Sequence, residues 1–449
     1  MFGDLLGDRK VEDAPVKTDM TEPTNRTDQS DEGKILRAKA RSYNQVDNAY
    51  HPIPGLLSMS CDQILGAYQT SQLMDVSAAF SQSALRGDNL ASAIDLLDRY
   101  FAVFPSEAHR RRINTSVIEG FFKDLHSHVM AHPVWTHPVF RKFSDGEVTL
   151  DQLRVFSLHY FNQVKNTRQC VALALGRFHS MVPDVPDGNI DNAFSELTQV
   201  VLAGLLADEY GFADAARATN NFSELDIDQA KVKRKQVAVD IESLFSPVTH
   251  PALYRRFLVA LGVAVADYDA PMLHAVADNV LVQRILSGDR SYDHIEALAS
   301  VGMGMEWGVP AFFSMIIAGI LKLSQGAGIE LDANSMEIWS AHVRQDVAHA
   351  VAVMLVTAFF VRDQSDIGRI KYATNALMAF RYEMMSEIHE EVFGMACPRV
   401  DHIELPRHYL LRDSRLLQLL PAARIGLRAS AIRNYPTYIN RTRFPRIIH

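Results

Sequence analysis

Between Trp339 and Phe360 the chain reads WSAHVRQDVAHAVAVMLVTAFF. The second half of that run is apolar on every side of a helix, so it is stable only where other elements cover it all round. A chain that carries it must build a large core of packed helices. The first half puts His342, Asp346 and His349 into the same segment. At about 100° per residue, positions i, i+4 and i+7 lie within roughly 60° of one another. Two imidazoles and a carboxylate therefore share one stripe of a helix made for burial. Such groups are costly in a core unless something partners them, and a bound cation would.

The rest of the chain points to the same class. From about residue 126 to 400, long helical patterns are separated by the short breakers VPDVPDGN, LSGDRSYD and LSQGAGIELDAN, and alternating β-branched runs are few. The expected fold is all-α, with one large bundle over 126–400. Residues 46–125, with SCDQILGAYQTSQLMDVSAAF and NLASAIDLLDRYFAVF, read as a smaller accessory helical region. Residues 1–45 are polar, rich in Asp and Thr, and read as disordered. The tail, 401–449, holds nine arginines against three acids and reads as solvated and partly helical, although it could dock on an acidic face.

Charge and cysteine usage exclude several functions. A net charge of −8 leaves no domain-wide basic excess to neutralise phosphates, so a general nucleic-acid binder is not expected. The three cysteines, Cys61, Cys170 and Cys397, form neither a disulfide framework nor a zinc-type spacing, which suits the cytoplasm. The N-terminus lacks the build of a signal peptide. The runs VPAFFSMIIAGIL and AVAVMLVTAFFV are short for a bilayer and read as core helices, so a soluble protein without a membrane partner is expected.

If the 342/346/349 stripe holds metal, neighbouring helices must supply further ligands. Glu306 stands among glycines, methionines and aromatics in ASVGMGMEWGVPAFFSMIIAGI, where an acid is hard to explain as surface. Glu209 ends the apolar helix ELTQVVLAGLLADEYG, and His250 opens THPALYRRFLVALG. Each also has a plainer reading, as an acid near a helix end and as an N-terminal histidine. His294 with Glu296, His274 with Asp278, and Glu383, Glu387 and His389 read as surface or outer groups. Three imidazoles and three carboxylates without a thiolate suit iron or manganese better than structural zinc. Six ligands are too many for one catalytic ion with open positions and about right for two. Three negative charges would leave two divalent irons net positive and able to bind dioxygen. The zincin pattern H-E-x-x-H does not occur, and a ferritin-like bundle needs two Glu-x-x-His pairs, whereas only Asp346 to His349 has a comparable form.

Over roughly residues 126–395 the chain resembles the haem-oxygenase-like di-iron oxidases and oxygenases. The late motif H-x-x-x-D-x-x-H is matched by His342, Asp346 and His349, and the upstream ligands by Glu209 in ADEYG, His250 in HPALYRRFLVALG, and Glu306. The opening WTHPVFRKFSDGEVTLDQLRVFSLHYFNQVKNTRQCVALALG is also similar to the start of that domain. About forty residues separate Glu209 from His250, a layout that resembles the amine N-oxygenase members of the family. In those members the segment supplies one more carboxylate to the irons and follows a helical dimerisation region. The resemblance thus implies Asp240 or Glu242 as an extra ligand, residues 46–125 as a dimerisation region, and a homodimer. It further implies a haem-oxygenase-like bundle, two iron ions, dioxygen as co-substrate, an external electron donor and a small organic substrate.

The expected activity is therefore O2-dependent oxygenation, with N-oxygenation of an amine or guanidine-like nitrogen in natural-product biosynthesis favoured. Oxidative decarboxylation or C–C cleavage of a fatty acid or amino acid is the same-class alternative. A metal-free helical cofactor-binding protein of the same fold is the alternative from another class.

Overall fold

Helices begin where short polar side chains can take up the free amides of a first turn. The Asn114 side chain caps α1 (Thr115–Ala131), and Thr149 with Gln152 forms a reciprocal capping box on α3 (Leu150–Leu175). Two caps are unusual. His132 and His137 accept from the Val134 and Val139 amides through Nδ1, opening a 3-10 turn (Pro133–Thr136) and α2 (Pro138–Asp145). Burial holds both imidazoles neutral, with pKa values lowered to about 3, as an accepting Nδ1 requires.

The computed structural model describes residues 114–178, 192–210, 249–327, 331–397 and 415–440, with isolated positions at 95, 98 and 329. The remaining helices are α4 (Asn192–Glu209), α5 (His250–Ala260), α6 (His274–Gly288), α7 (His294–Val301), α8 (Val309–Ala327), α9 (Glu337–Phe360), α10 (Gln364–Phe393), α11 (Arg415–Ile425) and α12 (Tyr435–Ile439). A π-helical turn, Gly302–Glu306, joins α7 to α8. Among the described residues no strand forms, and only an isolated bridge pairs Met272 with Ile432. The fold is all-α, as expected. The polar segment 1–45, nearly all of the accessory region, and Asp240 and Glu242 lie outside the described residues. Helix α1 runs through the boundary expected at 125/126.

Helix α6 packs against α3, α7, α10 and α11, while α9 is surrounded by α4, α5, α7, α8 and the π turn. That all-round cover is what the apolar half of α9 demands. Two glycines in the π turn let α9 and α10 close in. A Cβ on Gly302 would sit 2.5 Å from Val353 Cγ1, and one on Gly304 would sit 2.9 Å from Leu377 Cδ2.

Two expectations are corrected here. The apolar run in α8 is not short, because the π turn joins it to α7 in a helical stretch of 34 residues, His294–Ala327. That length could cross a membrane, yet 72% of its most apolar window is buried inside the bundle. Within the tail, 415–440 is not simply solvated. Helix α11 packs on α6, and Arg424, 1 % exposed, makes a two-pronged ion pair with Asp278 (2.9 and 2.6 Å). The Tyr438 hydroxyl donates to the same carboxylate at 2.7 Å.

Candidate metal site

Four elements converge on one point in the core. Helix α4 ends on Glu209 and α5 begins on His250, whose helix is capped by the Thr249 side chain and set by Pro251. The π turn ends on Glu306, and α9 presents His342, Asp346 and His349. Glu209, His250, Glu306 and Asp346 are all buried, at 2–6 % exposure. The structure thus brings together all six residues expected as ligands.

They fall into two triads, Glu209/His250/His342 and Glu306/Asp346/His349. In each, one ligand atom per residue lies within 4.8 Å of the other two, and each triad could hold a metal ion. Two donors about 2.1 Å from a common ion are separated by at most roughly 4.3 Å, so each triad needs only small side-chain adjustments to close on one.

The hydrogen bonds define which nitrogens are available. His342 Nδ1 lies 2.7 Å from the Ile338 carbonyl, which can only accept, so Nδ1 carries the proton and Nε2 faces the site. His349 Nε2 donates to Asp208 Oδ2 at 2.6 Å, which turns Nδ1 toward Asp346 (3.8 Å) and Glu306 (3.9 Å). An imidazole held by a carboxylate on its far nitrogen is the usual support of a metal-binding histidine. His250 Nδ1 lies 3.2 Å from Glu209 Oε2 but without the alignment of a hydrogen bond. Side by side is how two ligands of one ion sit. Asp346 Oδ2 is also buried without a hydrogen-bond partner. An orphaned buried acceptor costs about 1–3 kcal/mol, more when charged, so a cluster that leaves Asp346 Oδ2 without a partner fits a cation better than it fits a self-sufficient network.

The protonation pattern tells the same story. Burial and the neighbouring charge of Glu306 push the Asp346 carboxyl far above its usual range. His349 resists burial because Asp208 and Glu306 hold its charged form, and its pKa rises to about 10. Burial, followed by the charge of His250, lowers His342 to about 3. Burial would raise Glu209, but His250, with His342 and His349 behind it, draws it down to about 2. Burial would lower His250, but the Glu209 carboxylate raises it on balance. Without metal, protons neutralise part of this cluster. Bound cations would displace them.

A small, partly open cavity lies beside the triads. Glu209, Glu306, His342 and Asp346 reach its wall, facing Tyr160 of α3 and Arg381 of α10. Three of these participants were missed in the sequence. Asp208 was overshadowed by its neighbour Glu209, although ADEYG offers two acids in a row. Arg381 stands in ALMAFRYEMM, an apolar stretch that could have flagged it as Glu306 was flagged. Tyr160 carries no such signal.

Several groups set aside as surface are in fact buried but play other parts. Asp278 pairs with Arg424 rather than His274, whose ring bonds the Arg433 carbonyl. Glu296 closes the capping box of α7 and meets Arg415, His294 packs against Phe178 and Phe360, and His389 Nδ1 bonds the Met395 carbonyl.

Fold and site together define an all-α protein with two adjacent nitrogen–oxygen triads able to hold metal. No protein-family model matches the chain, and no curated protein matches its sequence.

Proposed function

We propose that the protein is a non-haem di-iron oxygenase with a haem-oxygenase-like bundle, which oxidises a small organic substrate, by preference at an amine or guanidine-like nitrogen. The single observation that carries this reading is the pairing of two largely buried triads of imidazoles and carboxylates, from four separate elements, each reaching one cavity. Donors of this type, with no thiolate, suit iron, and the unpartnered Asp346 Oδ2 fits a cation. Two irons held there would supply the two-electron reduction of dioxygen.

The chain's own groups do the rest. Glu209, His250 and His342 would hold one ion, and Glu306, Asp346 and His349 the other. Asp208 fixes the ring of His349, and the Ile338 carbonyl fixes that of His342. Three carboxylates against two divalent cations leave a positive centre, which repels an ammonium and admits the neutral amine with its lone pair. In the overall reaction one oxygen atom of O2 is transferred to nitrogen and the other leaves as water. An external donor of two electrons, accompanied by two protons, balances the equation.

Anaerobic loading with Fe(II), removal of excess metal and elemental analysis test the reading directly. Two irons per chain are expected, followed by substrate-dependent oxygen uptake with candidate amines. A chain that binds no metal would point instead to a metal-free helical binding protein. Two irons with CO2 release from a fatty or amino acid would replace N-oxygenation by oxidative decarboxylation.

A further inference from the structure

Arg381 is a buried cation with no ion-pair partner among the described residues. Its side chain is 6 % exposed, stacks over Trp135 and uses only Nη1 in hydrogen bonds, to the carbonyls of Gly304 (3.3 Å) and Met305 (3.2 Å). Those carbonyls belong to the π turn, whose winding is wider than that of an α-helix. A neutral donor would serve them. A guanidinium brings a full charge and, in Nε and Nη2, further N–H groups that meet no acceptor among the described residues.

The charge has a partial answer in the metal-free site, where Glu306 and Asp346 act on it across the cavity. With two divalent cations in the triads, that answer disappears. The three carboxylates are then more than balanced, and Arg381 adds another positive charge in the core beside them. Across the same cavity stands Tyr160, 6 % exposed, whose hydroxyl meets no hydrogen-bond partner among the described residues and feels the charge of Arg381. Beside it the Gln163 amide accepts from Asn279 (2.7 Å) and donates to Gln283 (3.0 Å). Val164, Val309 and Phe313 supply an apolar wall.

We propose that Arg381 and Tyr160 form an anion-binding subsite in this cavity, and that the substrate carries a carboxylate which docks there while its reacting atom faces the two triads. The inference rests on the di-iron reading and deepens it. Within the amines, it selects those that also bear an acid group. A guanidinium and a phenol lining one small cavity suit a small planar carboxylate held between them.

The test is anaerobic calorimetry on the full Fe(II)-loaded chain with three probes of equal length, hexanoate, hexylamine and hexan-1-ol, and iron counted in every sample. Hexanoate should bind at least roughly tenfold more tightly than either other probe, since a charge-assisted hydrogen bond contributes about 1.5–3 kcal/mol. Arg381→Gln, which keeps an N–H donor for the π-turn carbonyls, should remove that preference while leaving hexan-1-ol binding unchanged. Tyr160→Phe, which deletes one oxygen, should weaken hexanoate several-fold and decides the matter if Arg381→Gln does not fold. Two irons with no preference for hexanoate would overturn the subsite alone. So would a preference untouched by Tyr160→Phe and, where it folds, by Arg381→Gln, since the carboxylate would then sit on the irons. Fewer than two irons in the unaltered chain would overturn the di-iron reading and the subsite with it.

Discussion

The bundle buries two clusters of charge, and they are built on opposite plans. In the first, Arg424 meets Asp278 with two parallel hydrogen bonds and Tyr438 adds a third. Each strong group has its counterpart, and the cluster fastens α11 and α12 to α6. In the second, three carboxylates and three imidazoles crowd together and Asp346 Oδ2 lacks a hydrogen-bond partner. Burial and the like charge of Glu306 keep a proton on Asp346, while the opposite charges of Asp208 and Glu306 keep one on His349. Burial alone therefore does not mark a functional site. The informative quantity is what remains unsatisfied after the neighbours have been counted. The first cluster is complete as a piece of architecture, and the second is complete only with cations.

Substitutions can break that comparison at either end. The largest effect is expected for His349→Ala, which removes a ligand from the second triad and should abolish oxidation and lower the iron count below two. The fold should persist, because the apolar half of α9 keeps its packing. An active variant with two irons would remove His349 from the site. Next comes Arg424→Met, which leaves Asp278 buried with only the Tyr438 hydroxyl and should cost about 3–5 kcal/mol in denaturant unfolding, with iron content unchanged. A loss below about 1 kcal/mol would show that the tail is not anchored there.

Smaller effects sharpen the contrast. Asp208→Asn keeps the shape but weakens the grip on His349, and a 10- to 100-fold loss of metal affinity is expected, as for outer groups behind other metal-binding histidines. Equal affinity in a metal titration would make Asp208 a bystander. Glu306→Gln should do the reverse of Arg424→Met. The metal-free protein should be as stable as the parent or more so, while iron occupancy falls, because a neutral amide relieves crowding among carboxylates. A large loss of metal-free stability would assign Glu306 to a structural ion network.

A further contrast lies in the pH dependence. His349 has its folded pKa raised to about 10 from an ordinary 6.5. Its contribution to stability is therefore fully present below about pH 6.5 and is lost as pH rises through about 10. Over the same window Arg424 stays charged, its pKa raised because the gain from Asp278 outweighs burial. Metal-free protein should thus unfold more readily at pH 10 than at pH 7. The metal-loaded form should not, since His349 Nδ1 would already have given up its proton. Parallel denaturation profiles for the two forms would count against metal at His349.

How far the sequence revealed these clusters depended on geometry. His342, Asp346 and His349 sit on one helix, so a 3.6-residue period was enough to align them, and Glu306 stood out because its neighbours are apolar. Glu209 and His250 lie at facing helix ends, about forty residues apart, and no periodicity links them. Their place in the site came from resemblance to a family before the structure brought them together. Asp278 and Arg424 are 146 residues apart. Nothing in a tail of nine arginines distinguishes the buried one from the rest. Long-range pairs of charge are set by how helices cross, which residue spacing within a single helix does not encode. The all-α class was legible for the opposite reason, since helical patterning is local. The continuity of α7 with α8 was not, because the glycines that suggest a break are the ones that permit a π turn.

That turn has a mechanical consequence. A π turn accommodates one residue more than an α turn, so Gly302–Glu306 stores a residue of slack in the middle of a 34-residue helical run. Were the slack taken up, the register of the helix would advance by one residue, or about 100° of rotation, and the Glu306 carboxylate would swing off the cavity wall. Arg381, bonded to the Gly304 and Met305 carbonyls, ties α10 to the turn where that slack lies.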